Sequence, residues 1–339
     1  MNNSKNRLSG ITFSRAFCSF GILVFHYFSH SKGTFKLFYF TANSSWGFMF
    51  VTSFFAISGT VLYYNYPRVI SLKAFYFKRW RAIFPSYYIS FMYFFIKNVF
   101  KYKKLFYKGH WPSLIFTVFG VDGYLSYRFE TYFIVGEWFI GAIIILYILY
   151  PLLSWLMNKN IFIIHFIACA CYPLMYLTNY FIIKKTRNIM TCLYSFYFGM
   201  LSLKFQNLFF KNKITFIISF FILVFLCFIR ISDIILIFQI QGFLIFIILV
   251  QLGEFLMFTR IKFFIKEISI LSYNIFLFHH KIILNILGVI NPKEWYLHLI
   301  LLGISIILTI LCSKVLFLVV INILKSYYFK KIESNFIKT

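Results

Sequence analysis

Acidic side chains are scarce in this chain: 8 Asp and Glu stand among 339 residues, against 34 Lys and Arg. Charge of either sign makes up only 12% of the sequence, while 61% is hydrophobic and the mean hydropathy is +0.82. So little charge excludes an ordinary soluble domain, in which about 25% of residues are charged. Also missing is any polar stretch long enough to fold outside a membrane, and no repeat or low-complexity linker divides the chain. No secretory cleavage pattern follows the first apolar stretch, which runs too long for the h-region of a signal peptide. These absences point to an all-α integral membrane protein in which residues 1–339 form a single membrane-embedded domain, with no extra-membrane domain and an uncleaved first helix.

The formal net charge of +26 raises nucleic acid as a partner. The basic residues, however, are scattered between apolar runs and form no continuous patch, so no nucleic acid is expected. Anchoring at the headgroups and attraction to anionic membrane lipid account for most of them. The 50 Phe residues read as lipid-facing or core side chains rather than a base-stacking surface. Six cysteines, Cys18, Cys169, Cys171, Cys192, Cys227 and Cys312, all fall within apolar stretches and read as buried thiols. Neither a metal nor a bound cofactor is expected.

Windows of about 20 apolar residues place spans near 11–30, 45–66, 82–100, 132–156, 160–178, 190–205, 213–231, 233–252, 266–289 and 296–324. That gives about ten transmembrane helices in a single bundle. Residues 113–125 are apolar but short and close with Gly120, Asp122 and Gly123, which suits a re-entrant or interfacial segment. An even number of crossings puts both termini on one side. The side holding them carries the excess of Lys and Arg, which makes it the cytoplasmic face of the cell membrane, although Lys101, Lys103, Lys104 and Lys108 fall opposite.

Five stretches carry candidate chemistry. In FSRAFCSFGILVFHYF, residues 13–28, Arg15 and His26 lie eleven positions apart, so at ~100° and 1.5 Å per residue they share one helix face, ~16 Å apart. Ionisable groups inside a span are costly and mark sites or pathways; the alternative is that Arg15 snorkels to the headgroups while His26 bonds to a neighbouring helix. In the second span, FFAISG ends on Ser58 and Gly59, a small pair that admits a close backbone or ligand. FKRWRAIFPSYY, residues 77–88, gathers Lys78, Arg79 and Arg81 before an apolar run, with Pro85 placed at the first turn of the span. GEWFIGAIIILYILYP, residues 136–151, opens with Glu137 and Trp138; Glu137 either orients an acceptor hydroxyl or faces water. In ISILSYNIFLFHHK, residues 268–281, Ser272 and His279 are seven apart and share a face, with His280 on another.

In this order the stretches resemble the membrane-bound acyltransferase family 3, whose members transfer acyl groups, commonly acetyl from acetyl-CoA, to cell-surface sugars and other hydroxyl acceptors. The resemblance rests on Arg with His eleven later, on FFAISG, on the Trp-Phe stretch with its Tyr and Pro, and on Ser272-Tyr273 with His279. It departs at the paired arginines: Arg79 holds the first position, Ala82 stands in the second, and Arg81 would lie ~200° away on a helix. The resemblance implies a membrane-bound O-acyltransferase, most simply an O-acetyltransferase, with cytosolic acyl-CoA (acetyl-CoA) as co-substrate. Its acceptor would be a hydroxyl of a cell-surface polysaccharide or lipid-linked glycan. It implies catalytic roles for His26, Arg15, Ser272, Tyr273 and His279, donor binding by Arg79, Arg81, Ser58 and Gly59, and acceptor contacts from Glu137 and Trp138. A homodimer is compatible with all of this. The alternative is a polytopic transporter, or a glycan polymerase or flippase, without acyl-CoA chemistry.

Overall fold

The computed structural model describes residues 9–31, 46–105, 110–132, 135, 138–177, 185–229, 234–256, 259–290 and 292–326. Every regular element among them is a helix: α1 Ser9–His30, α2 Gly47–Asn65, α3 Leu72–Tyr102, α4 Leu114–Val118, α5 Asp122–Leu125, α6 Trp138–Lys159 and α7 Ile161–Leu177. There follow α8 Ile189–Lys204, α9 Gln206–Phe209, α10 Lys213–Phe228, α11 Ile234–Leu256, α12 Lys262–Val289 and α13 Trp295–Lys325.

Each of the ten expected windows holds a helix, but only six of these helices are both long and apolar enough to cross a membrane: α1, α2, α6, most of α11, α12 and α13. Among the described residues six crossings are thus supported by length and composition, and the expected ten are not confirmed. Helices α7, α8 and α10 have 17, 16 and 16 residues, about 24–26 Å of helix against a hydrocarbon core of ~30 Å. Helix α3 is long, but its first turns carry Lys78, Arg79 and Arg81. Ser71 caps that helix by accepting from the Ala74 amide at 3.3 Å, so it begins well before the apolar run. Pro85 consequently lies inside α3 and not at its first turn.

Outward faces of the bundle are apolar, as lipid contact requires. Phe17, Phe20, Ile148, Phe221, Ile307 and Val315 are all exposed there. Cys18 and Cys192 are buried as expected, whereas Cys169 and Cys312 point outward. Residues 114–125 form two helices too short to cross, turned at Gly120 with φ +67°. The buried Asp122 carboxylate secures them, accepting from Tyr87 Oη at 2.8 Å and the Gly123 amide at 2.9 Å.

At the centre, α1 packs on α2, α11 and α12, while α2 also packs on α8 and α11. The α2–α8 seam is the tightest kind of helix contact. A Cβ at Gly59 would lie 2.0 Å from the Phe196 carbonyl oxygen, and one at Gly199 would lie 1.9 Å from that of Ala56. Thr60 Oγ1 sits 2.8 Å from the Gly199 carbonyl across the same seam. Gly59 therefore serves helix packing and does not itself line the cavities described below, although its neighbour Ser58 does. Gly59→Ala and Gly199→Ala are each expected to cost about 1–3 kcal/mol by overpacking, read as a lowered unfolding midpoint of the detergent-purified protein. A Gly59→Ala protein of unchanged midpoint would show that this seam is loose.

Candidate active site

The basic turns of α3 open on a cavity of about 390 Å³ whose lining includes Lys78, Arg79, Arg81, Ser86, Tyr273 and Asn274. Although Arg79 and Arg81 leave the helix on different sides, both long side chains border this space. The Arg79 guanidinium lies over Tyr66 at 5.2 Å and near Tyr147 at 5.9 Å, and its Nη2 donates to Tyr66 Oη at 3.4 Å. Arg79 Nε and Tyr273 Oη are buried without a hydrogen-bond partner among the described residues. A buried polar atom left unpaired costs about 1–3 kcal/mol, so both atoms are poised for a ligand.

A second cavity of about 260 Å³ adjoins the first, sharing Arg79, Ala82 and Tyr273. Its polar lining comes from Arg15, Ser58, Arg79, Tyr147, Ser272 and Tyr273, and its apolar walls include Phe54, Phe139 and Phe276. The small side chain of Ala82 borders both spaces, where an arginine would occupy their junction. Beyond it lies a gap of only about 10 Å³, bordered by Ser19, Ile22, Phe54, Ser272, Ile275, Phe276 and His279, about the room of one water. The α1 face that carries Arg15 runs on through Ser19 and Ile22 to His26, in steps of three and four residues.

Past that gap the histidines gather. The His26 ring lies 4.0 Å from His280 and 5.1 Å from His279, centroid to centroid. His279 is fully buried, and its Nδ1 donates toward the carbonyls of Phe276 at 2.9 Å and Ile275 at 3.1 Å. That bond fixes the ring and leaves the lone pair on Nε2. His30, one turn beyond His26 on α1, is hydrogen-bonded through Nε2 to His280 Nδ1 at 3.0 Å.

Arg15, Ser58, Arg79, Ser272 and Tyr273 thus meet around one cavity, with Arg81 at its outer neighbour and His279 and His26 beyond its narrow end. Trp138 is buried between Phe55 and Phe139 with the Arg187 guanidinium 5.7 Å from its ring; it lines none of these cavities. Glu137 lies outside the described residues. Sequence spacing set His280 aside on another helix face and passed over Tyr147, His30 and Arg187. His280 shares a helix with His279 but not its face, and only the crossing of α1 and α12 reveals that both reach His26.

A helical bundle that crosses a membrane and gathers ionisable groups along an internal path is a membrane protein built around an intramembrane polar site. The chain belongs to the acyltransferase 3 family, whose acyltransferase-domain model matches residues 8–318, and membership makes it a membrane acyltransferase. No match is found among curated proteins or solved structures.

Proposed function

We propose that the protein moves an acyl group, most simply acetyl, from cytosolic acyl-CoA to a hydroxyl of a cell-surface polysaccharide or lipid-linked glycan. The observation that carries this reading is the row of adjoining cavities from the cationic one at Arg79 and Arg81, past Arg15, toward the histidine cluster. Such a row suits a donor with a polyanionic head and a thin arm. Arginines and Lys78 would hold the phosphates by charge and paired hydrogen bonds, with Arg79 Nε and Tyr273 Oη gaining their missing partners. The thioester would then lie toward the narrow gap beside Ser272.

There His26 takes the proton of the acceptor hydroxyl as its oxygen attacks the thioester carbonyl. The tetrahedral oxyanion needs a donor close to the gap, and Ser272, which borders it, is better placed than Tyr273, which borders the two cavities. Collapse expels the CoA thiolate, which takes up the proton, leaving an ester and free CoA. His279, held by two main-chain carbonyls, acts as a fixed neighbour that positions His26.

Under this reading both termini lie in the cytoplasm and the acceptor comes from the histidine end. The test is transfer of radiolabelled acetyl from acetyl-CoA to glycan by the purified protein in vesicles, alongside mass spectrometry of surface glycans with and without the gene. An added acetyl mass that depends on the gene is expected. A protein that binds no acyl-CoA would instead fit a transporter or flippase.

A further inference from the structure

Three histidines from opposite ends of the chain converge at the end of the internal path. His26 on α1 and His279 and His280 on α12 each place a ring nitrogen within 4.8 Å of the others. We propose that they form a binding site for a divalent cation of the zinc type, held by three imidazole nitrogens, and that the bound ion inhibits transfer by occupying the His26 lone pair. Binding follows from the geometry alone; inhibition rests on the base role proposed above for His26.

Zinc accepts imidazole nitrogens at ~2.0–2.1 Å in tetrahedral sites, and three histidines with an open fourth position form a recognised arrangement. The corresponding nitrogen–nitrogen edges are ~3.4 Å, so the rings need to close by little more than an ångström. His26 and His280 are only partly buried. Histidine ligands characteristically use their other ring nitrogen to bond a carbonyl or similar partner, which sets tautomer and orientation. Two of the three already do so: His279 Nδ1 is on the Phe276 carbonyl at 2.9 Å and His280 Nδ1 is on His30 at 3.0 Å. An all-imidazole set selects zinc and its late transition-metal neighbours over magnesium and calcium, which demand oxygen ligands. Arg187 lies near enough to act electrostatically on His26; its charge opposes the ion's and favours an anion, such as hydroxide or chloride, in the fourth position.

The test uses the full chain, freed of any polyhistidine tag and stripped with chelator, titrated with Zn²⁺ or Mg²⁺ in detergent without acyl donor. One zinc per chain is expected, with X-ray absorption in chloride-free buffer showing imidazole nitrogens and only nitrogen or oxygen neighbours, and no magnesium binding. His279→Ala and His280→Ala should each weaken zinc binding by about tenfold or more. His165 and Cys169, a second possible ligand pair 3.6 Å apart, serve as the control, and His165→Ala should leave affinity unchanged. Failure to bind zinc, a sulfur neighbour, or affinity that follows His165 would overturn the site. Should His279→Ala fail to purify folded, His280→Asn carries the comparison.

Zinc should also suppress transfer by the wild-type protein, with chelator restoring it; full transfer with zinc bound would overturn the inhibitory role. Absence of transfer in zinc-free protein would count against the acyltransfer reading alone, since the titration judges the metal site without donor or acceptor.

Discussion

His26→Ala is expected to lower acyl transfer by roughly 10²- to 10⁴-fold, the usual contribution of a positioned general base, while leaving a folded, membrane-inserted protein. The structure separates this outcome from a packing role. His26 is half-buried and meets His279 and His280 through ring contacts, not through the backbone-on-backbone contact that Gly59 and Gly199 make. An interhelical hydrogen bond in a membrane is worth on the order of 1 kcal/mol, too little to unfold a bundle of this size. Transfer should therefore fall while the unfolding midpoint barely moves. The loss should appear in kcat with donor KM nearly unchanged, since His26 lies beyond the gap that ends the inner cavity. A stable variant keeping more than about a tenth of wild-type activity would remove His26 from the chemistry.

Much of this site is legible in the sequence wherever a single helix carries it. Arg15 and His26 share a face because helical geometry allows nothing else at that spacing, and Ser272 and His279 do so for the same reason. Local periodicity says nothing about which faces meet. It assigns His280 to a different side of its helix from His279, yet α1 crosses α12 where both rings reach His26. The same limit hides the role of Gly59: a small residue beside Ser58 signals a close approach, but the sequence does not say whether a ligand or the α8 backbone makes it. Hydropathy likewise finds the apolar helices and not their depth. The short α7, α8 and α10 read as spans in a sliding window, although their lengths fall below the hydrocarbon thickness. Arg81 shows the opposite error. Its ~200° separation from Arg79 sets it apart on a helical wheel, but an arginine side chain is long enough for both to border one cavity.

Arg79→Ala is expected to raise the KM for acyl-CoA by roughly ten- to a hundredfold with kcat largely kept, because charge-assisted contacts contribute ~1.5–3 kcal/mol and lost uniform binding appears in KM. Arg79 borders both cavities, and its buried Nε has no partner among the described residues; a phosphate that supplied one would make this arginine the strongest single donor contact. The effect should shrink as salt rises, since screening weakens the same charge pairing in the wild type. Arg81 borders only the outer cavity, so Arg81→Ala should give a smaller rise in KM than Arg79→Ala. Arg15 borders the inner cavity, on the face that leads to His26, and Arg15→Ala should lower kcat as well as raise KM because it would orient the arm near the thioester. Arg79→Lys separates charge from shape: it keeps the cation but loses the planar fork, and is expected to recover only part of the lost affinity. Wild-type donor KM in both Arg79→Ala and Arg81→Ala would mean that the donor does not enter between α3 and α12, and that the basic turns of α3 serve only to anchor it at the membrane surface.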